Sequence, residues 1–226
     1  MLDCWVEDRD AGVTSVATDT STLALHVITC AGFGISYQFR NALDTVREGF
    51  SMSYADSLYS VMKNLLLLII VPSLAYSSPI LPKALREFKV AVADFKRYMI
   101  EMVDTAKIRV AKAESVQPNL LNTLVQKSEE VLLESQENAN SNGLSDDEIY
   151  GNLFIFSFAG HETTANTLSF SIYLLAAFPE WQEWVGEELD EALKGHECVE
   201  TIDYEEVYPK LKRCLALMVS HSTPLV

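Results

Sequence analysis

Apolar residues recur along most of the chain at helical rather than strand spacing. Over 83–112, Phe88, Val92, Phe95, Met99, Met102 and Val103 fall near a period of 3.6, with basic and acidic side chains on the other face. That spacing predicts a long amphipathic helix. Shorter apolar runs predict helices over 22–29, interrupted by Ala31-Gly32-Phe33-Gly34, over 58–71 and over 120–133. Pro72, Pro79 and Pro82 punctuate the stretch after the second of these, and Pro118 closes the long helix, because proline lacks the N–H that a helix interior needs. Alternation of β-branched residues is scarce, so the predicted fold class is mainly α.

The strongest pattern begins at Ser145-Asp146-Asp147-Glu148. It is a capping box, in which the serine hydroxyl accepts from the backbone of Glu148 and the glutamate reaches back. Further acids in the first turn suit the positive end of the helix dipole. The helix is predicted over 145–178, up to Pro179, a rod of about 50 Å. Between Ile149 and Pro179 the only Asp, Glu, Lys or Arg is Glu162. The other positions are apolar on most faces, which predicts a helix buried all round at the centre of a bundle. A carboxylate in such surroundings is costly unless paired or protonated, so Glu162 is a candidate functional group. Ala159-Gly160 places two minimal side chains before it, which would open a shallow groove for a flat ligand. Thr163 and Thr164 follow, and a threonine hydroxyl can bond the carbonyl one turn back. Acid, alcohol and groove together are parts for delivering protons to a bound small molecule. The plainer alternative is that Ala-Gly serves close helix packing and that the threonines satisfy backbone groups. A zinc-protease reading fails, because His161-Glu162 is followed by Ala165 where a second histidine is needed.

Composition narrows the partners. The chain has 226 residues, 49% hydrophobic and 22% charged, enough for a sizeable core. Seventeen basic against 32 acidic side chains give a formal net charge of −15, which argues against nucleic-acid binding. The acidic stretch 186–206 reads as a solvated face, and 134–144, rich in Ser, Asn, Gln and Glu, as a flexible loop. Cys4, Cys30, Cys198 and Cys214 form no CxxC pair and no zinc-ligand spacing, so no metal site is predicted. No basic, apolar leader follows Met1, and no apolar run approaches the ~20 residues that span a bilayer.

Ala159-Gly160-His161-Glu162-Thr163-Thr164 resembles the (A/G)-G-x-(D/E)-T-(T/S) pattern in the oxygen-binding helix of the cytochrome P450 family. Phe178-Pro179-Glu180-Trp181-Gln182 resembles the start of the helix after it, and Tyr208-Pro209-Lys210-Leu211 through Leu217-Met218 the lead-in to the next. Thr22-Leu23-Ala24-Leu25-His26 and Ala31-Gly32-Phe33-Gly34 resemble the fungal branch. The resemblance implies a partial cytochrome P450 fold: one domain over 1–226, a helical bundle around one long central helix, with a divergent tail over 219–226. It also implies a haem-thiolate monooxygenase that inserts one oxygen atom into an apolar small molecule, with electrons from NADPH–cytochrome P450 reductase. Glu162 and Thr163 would be the acid–alcohol pair. Ala159, Gly160 and Thr164 would contact the haem, and Phe154 and Phe158 would face substrate. Such proteins are usually bound to the endoplasmic reticulum membrane. This chain, with no signal or transmembrane segment read in it, is expected to be soluble or of unassigned location.

The sequence also departs from the family pattern. Where Glu-x-x-Arg is needed the chain has Ser220 and Thr223, followed by Pro224, and no Phe-x-x-Gly-x-Arg-x-Cys-x-Gly loop occurs. Cys30-Ala31-Gly32 imitates the end of that loop, but Leu23, His26 and Ile28 stand where Phe, Gly and Arg belong. Trp5 and Arg9 have the spacing of a haem-propionate contact but lie in the wrong context. The expectation is therefore an internal family segment without its axial thiolate, inactive as this chain. The alternative is a non-catalytic helical remnant or interaction protein that does not bind haem.

Overall fold

The computed structural model describes residues 1–7, 12–35, 45–70, 82–112, 119–135, 143–195 and 202–220. Among them the secondary structure is helical, without strands, as the periodicity predicts. The chain divides into two compact units, Thr22–Glu162 and Met1–Ser21 with Thr163–Val226. The boundaries fall inside two helices, α2 (Val16–Val27) and α7 (Asp146–Ala177).

In the unit Thr22–Glu162, the second part of α2 runs into a π-helical turn, Ile28–Gly32, where Thr29 Oγ1 donates to the Leu25 carbonyl at 2.8 Å. Hydroxyl donation one turn back competes with the helix ladder, and the wider turn forms there. Gly34 ends it at φ +68°, with its N–H on the Cys30 carbonyl. Its missing side chain also matters, because a Cβ there would lie 2.5 Å from Asn119 Nδ2. Asn119 caps α6 (Leu120–Ser135) by accepting from the Asn122 N–H at 2.8 Å, so glycine allows the turn and the cap to sit together.

α3 (Tyr54–Lys63) is capped by Ser53, whose hydroxyl accepts from the Asp56 N–H. The apolar run predicted as one helix over 58–71 is two. Asn64 breaks it by donating its side-chain amide to the Ser60 carbonyl at 2.9 Å, and α4 (Leu65–Ile70) follows. Val71 and the following prolines through 81 lie outside the described residues, as do Pro118 and positions 136–142 of the predicted loop. α5 (Lys83–Ala111) matches its predicted span. It packs on α3 and α6 through Phe95, Tyr98, Met99 and Val103, against Leu58, Leu121 and Val125. Asp94 is buried on the same helix and accepts from the N–H groups of Ser51 (2.7 Å) and Met52 (2.9 Å). It thereby straps the segment before α3 to α5. Tyr98 adds a donation to the Met52 carbonyl at 3.1 Å and stacks on Phe50 at 4.0 Å.

In the other unit, α1 (Leu2–Glu7) meets α2 through Trp5 Nε1, which donates to Asp19 Oδ2 at 2.6 Å. Trp5, whose spacing to Arg9 imitates a propionate contact, is thus engaged locally, and Arg9 lies outside the described residues. α2 begins at Val16, six residues before the apolar run of 22–29. Its polar first turns are held by Thr20, whose hydroxyl donates to the Val16 and Ala17 carbonyls. With that proton committed, Ser169 is the donor in the buried 2.6 Å contact between Thr20 and Ser169. α8 (Pro179–Ala192) follows α7 directly, with proline in its first turn as expected. After it come α9 (Tyr204–Val207), a short 3₁₀ turn and α10 (Lys212–Ser220).

The acidic stretch 186–206 is not only a solvated face. Glu188 accepts from the backbone N–H groups of Arg213 and Cys214 at 2.8 and 3.0 Å and fastens α10 to α8. Burial pushes its carboxyl up, but the N–H donations from Arg213, Cys214 and Lys212 outweigh this and hold it below the ordinary 4.5.

Candidate functional site

α7 starts where the capping box places it. The Ser145 N–H and hydroxyl both donate to Glu148 Oε2 at 2.8 Å, and the Glu148 N–H returns a bond to Ser145 Oγ at 3.3 Å. These bonds hold the Glu148 carboxyl below its usual value.

The helix is not dry on every side, contrary to the all-round apolar pattern. In the unit Thr22–Glu162 one stripe is buried, made of Ile149, Leu153, Ser157 and His161 at intervals of four. The opposite positions are open, with Ile155 55% and Phe156 36% exposed and Ala159 and Glu162 also exposed. In the other unit Ala165 and Ser169 are buried, while Thr163, Thr164, Asn166, Phe170 and Tyr173 are exposed. The reason is coverage. Amphipathicity is a statement about partners, and among the described residues the apolar Ile155 and Phe156 stay exposed beside the polar Glu162.

Gly160 is half-buried, and the space its side chain would take is filled. A Cβ there would lie 3.2 Å from Ile28 Cδ1. The groove expected from Ala159-Gly160 is therefore closed on the Gly160 side by Ile28, as in the close-packing alternative, and open on the Ala159 side. Ser157 ties the buried stripe to α3. Its hydroxyl donates to the Leu153 carbonyl at 2.8 Å, so the 3.2 Å contact with the Tyr54 hydroxyl has tyrosine as donor.

Phe154 is half-buried beside α5, edge-on to Phe95 at 6.0 Å between centroids and stacked with Phe158 at 6.1 Å. It helps line an apolar cavity of about 260 Å³ with Val61, Val92, Phe95 and Met99. The periodicity assigned the α5 residues to the core. That they also wall a cavity depends on their distance from α7, which no pattern along the chain encodes.

No group of three His, Cys, Asp or Glu side chains among the described residues could hold a metal ion. Cys30 is exposed on the π-helical turn. Burial, reinforced by the neighbouring Glu188 carboxylate, pushes the Cys214 thiol up, which disfavours the thiolate form needed for ligation. The Cys4 side chain and Cys198 lie outside the described residues. The described residues therefore fit one side of a flat apolar group, over the Ala159 face, and among them neither Cys30 nor Cys214 is placed there as a thiolate ligand.

The helix order, the capped long helix and its single acid–alcohol pair define a class that sequence comparison names. The profile of the cytochrome P450 family matches residues 1–208, and the chain belongs to that family. Similar fungal relatives include a cytochrome P450 monooxygenase of Arthrobotrys oligospora, 29% identical over 93% of this chain and 36% of the relative. Another is cytochrome P450 monooxygenase 124 of Postia placenta, 32% identical over 96% of this chain and 39% of its own length. The chain thus spans well under half the length of the curated relatives it matches. Among solved structures, a crystal structure of a cytochrome P450 superposes with a TM-score of 0.65 at 18% identity, over 96% of this chain and 44% of that one. At that identity the likeness shows the fold alone, a partial cytochrome P450 helical fold.

Proposed function

We propose that this chain is the oxygen-side segment of a haem-thiolate monooxygenase and that it is inactive by itself. The observation that carries the reading is Glu162 beside Thr163, the one acid–alcohol pair on a helix stretch with no other Asp, Glu, Lys or Arg between Ile149 and Pro179. The exposed positions around it, Ile155, Phe156 and Ala159, support a flat apolar group as the missing cover. In this reading 1–226 is one partial domain, and Ala159, Gly160 and Thr164 border the haem, with Gly160 acting mainly by letting Ile28 approach. Haem, when bound, supplies the activation of dioxygen. The chain's own contribution is proton handling: Glu162 and the Thr163 hydroxyl would relay protons to the bound group, a role that general acid–base catalysis rewards with about 10²–10⁴ in rate. Phe154 and Phe158 would meet an apolar substrate at the neighbouring cavity, and NADPH–cytochrome P450 reductase would supply electrons. Among the described residues no helix is long and apolar enough to cross a membrane.

Two measurements test this. The purified chain, mixed with haem, reduced and treated with carbon monoxide, is expected to show no thiolate–haem absorption band; its appearance would overturn the inactive reading. A whole Postia placenta relative carrying Asp146–Ala177 in place of its own helix is expected to keep turnover and to lose about 10²-fold on Thr163→Val or Glu162→Gln. Unchanged turnover in both variants would remove the proton-relay assignment.

A further inference from the structure

We propose that the unit Thr22–Glu162 carries a second small-molecule site, one that takes a small monocarboxylic acid with an apolar body. The site is a cavity of about 210 Å³ between the π-helical turn, α5 and the start of α6, and it shares no lining residue with the Phe154 cavity. Phe33, Met102 and Leu121, all buried, give it an apolar floor.

Its polar wall contains donors that no group among the described residues satisfies. Arg47 is committed, with Nη1 3.4 Å from Glu101 Oε2 and the guanidinium 5.6 Å from the Tyr98 ring. The Thr105 hydroxyl donates to the Glu101 carbonyl at 2.7 Å. Among the described residues Arg109 makes no hydrogen bond or ion pair, although seven other cations there do make ion pairs. Asn122 is only 7% exposed, and its Nδ2 is buried without a hydrogen-bond partner. The Asn122 backbone N–H is already used by Asn119, which fixes the residue in the first turn of α6.

An amide donor rarely stays unpaired in a native interior. Two uncommitted donors facing one cavity call for an acceptor, and a guanidinium fork matches a carboxylate by two parallel bonds. The single carboxylate of Glu101 in the wall disfavours a dianion such as phosphate. The apolar floor demands hydrocarbon on the far side. The volume lies below the ~300–1,000 Å³ of drug-sized pockets, which limits the ligand to a short-chain or single-ring acid.

The test is titration of the full chain with benzoate, followed by NMR and calorimetry, with benzamide and inorganic phosphate as controls. The expected result is saturable one-to-one binding that perturbs Leu121 and Ala106, with both controls at least about tenfold weaker. Arg109→Gln and, independently, Asn122→Asp should each weaken benzoate at least about tenfold, with circular dichroism reporting whether each variant is folded. If one variant fails to fold, the other decides. Absence of saturable binding to the wild-type chain overturns the proposal. So does equal affinity for phosphate, or unchanged affinity in a folded variant.

Discussion

Ile28 occupies the side-chain space of Gly160: a Cβ on the glycine would stand 3.2 Å from Ile28 Cδ1. Two effects then oppose each other on Gly160→Ala. Alanine gains about 1 kcal/mol of helix propensity, and the compressed contact takes back a similar amount. The expected net change in urea-unfolding free energy is below about 0.5 kcal/mol, whereas Gly160→Val, which is bulkier and β-branched, should destabilise by about 1–3 kcal/mol. Ile28→Ala combined with Gly160→Val should recover at least about 0.5 kcal/mol of that loss. Strict additivity would show that the two residues do not meet.

Asp94 is the anchor of the strap before α3. Asp94→Ala would leave the Ser51 and Met52 N–H groups without their acceptor. The expected destabilisation is about 3 kcal/mol, while Asp94→Asn, which keeps one oxygen, should cost about half as much. Arg97, 3.7 Å away, makes its own hydrogen bond to the Gly49 carbonyl at 2.7 Å, so Arg97→Met should have a smaller effect than either. Equal effects for Asp94→Ala and Arg97→Met would mean that charge pairing rather than N–H satisfaction holds the strap.

The Tyr54–Ser157 bond joins α3 to the buried stripe of α7. Tyr54→Phe removes a donor and should cost about 0.5–1.5 kcal/mol. In a double-mutant cycle with Ser157→Ala the coupling should reach at least about 0.5 kcal/mol. A coupling of zero would contradict the 3.2 Å contact.

Glu188 makes a pH-dependent prediction. Its folded pKa lies below the ordinary 4.5, so the α8–α10 fastening contributes above the unfolded carboxylate value. That contribution is lost as pH falls through the lower folded value. Hydrogen exchange at the Arg213 and Cys214 amides should therefore accelerate in acid relative to the intrinsic rate. Glu188→Gln should remove that pH dependence and raise exchange at neutral pH. Amides equally protected in the variant would show that the carboxylate is a bystander.

How much was readable in advance depended on whether the cause was local. The capping box, the span of α5 and the proline entry to α8 are written in neighbouring residues, and they stand where the pattern puts them. The break at Asn64 was missed because a side-chain amide bonding back to Ser60 leaves no mark in an apolar run. The start of α2 was missed because Thr20 satisfies its own helix through a hydroxyl, which reads as polar loop. The pair Glu162–Thr163 stands out in the sequence because it holds the one acid on a long uncharged stretch. Its exposure was not legible, because burial depends on what lies across the helix. Likewise, glycine at 160 says only that something comes close; Ile28 had to be seen to be named. Glu188 looked like one acid among many until the N–H groups of α10 were placed against it.

The three tryptophans, Trp5, Trp181 and Trp184, all belong to the unit formed by Met1–Ser21 and Thr163–Val226. Indole fluorescence therefore reports on that unit alone, with Trp5 quenched or released as its contact with Asp19 holds or breaks. The unit Thr22–Glu162 is silent in that channel. It can be followed instead through amide hydrogen exchange at its buried residues Leu58, Val103 and Leu121. Fluorescence and exchange together thus ask whether the halves melt together.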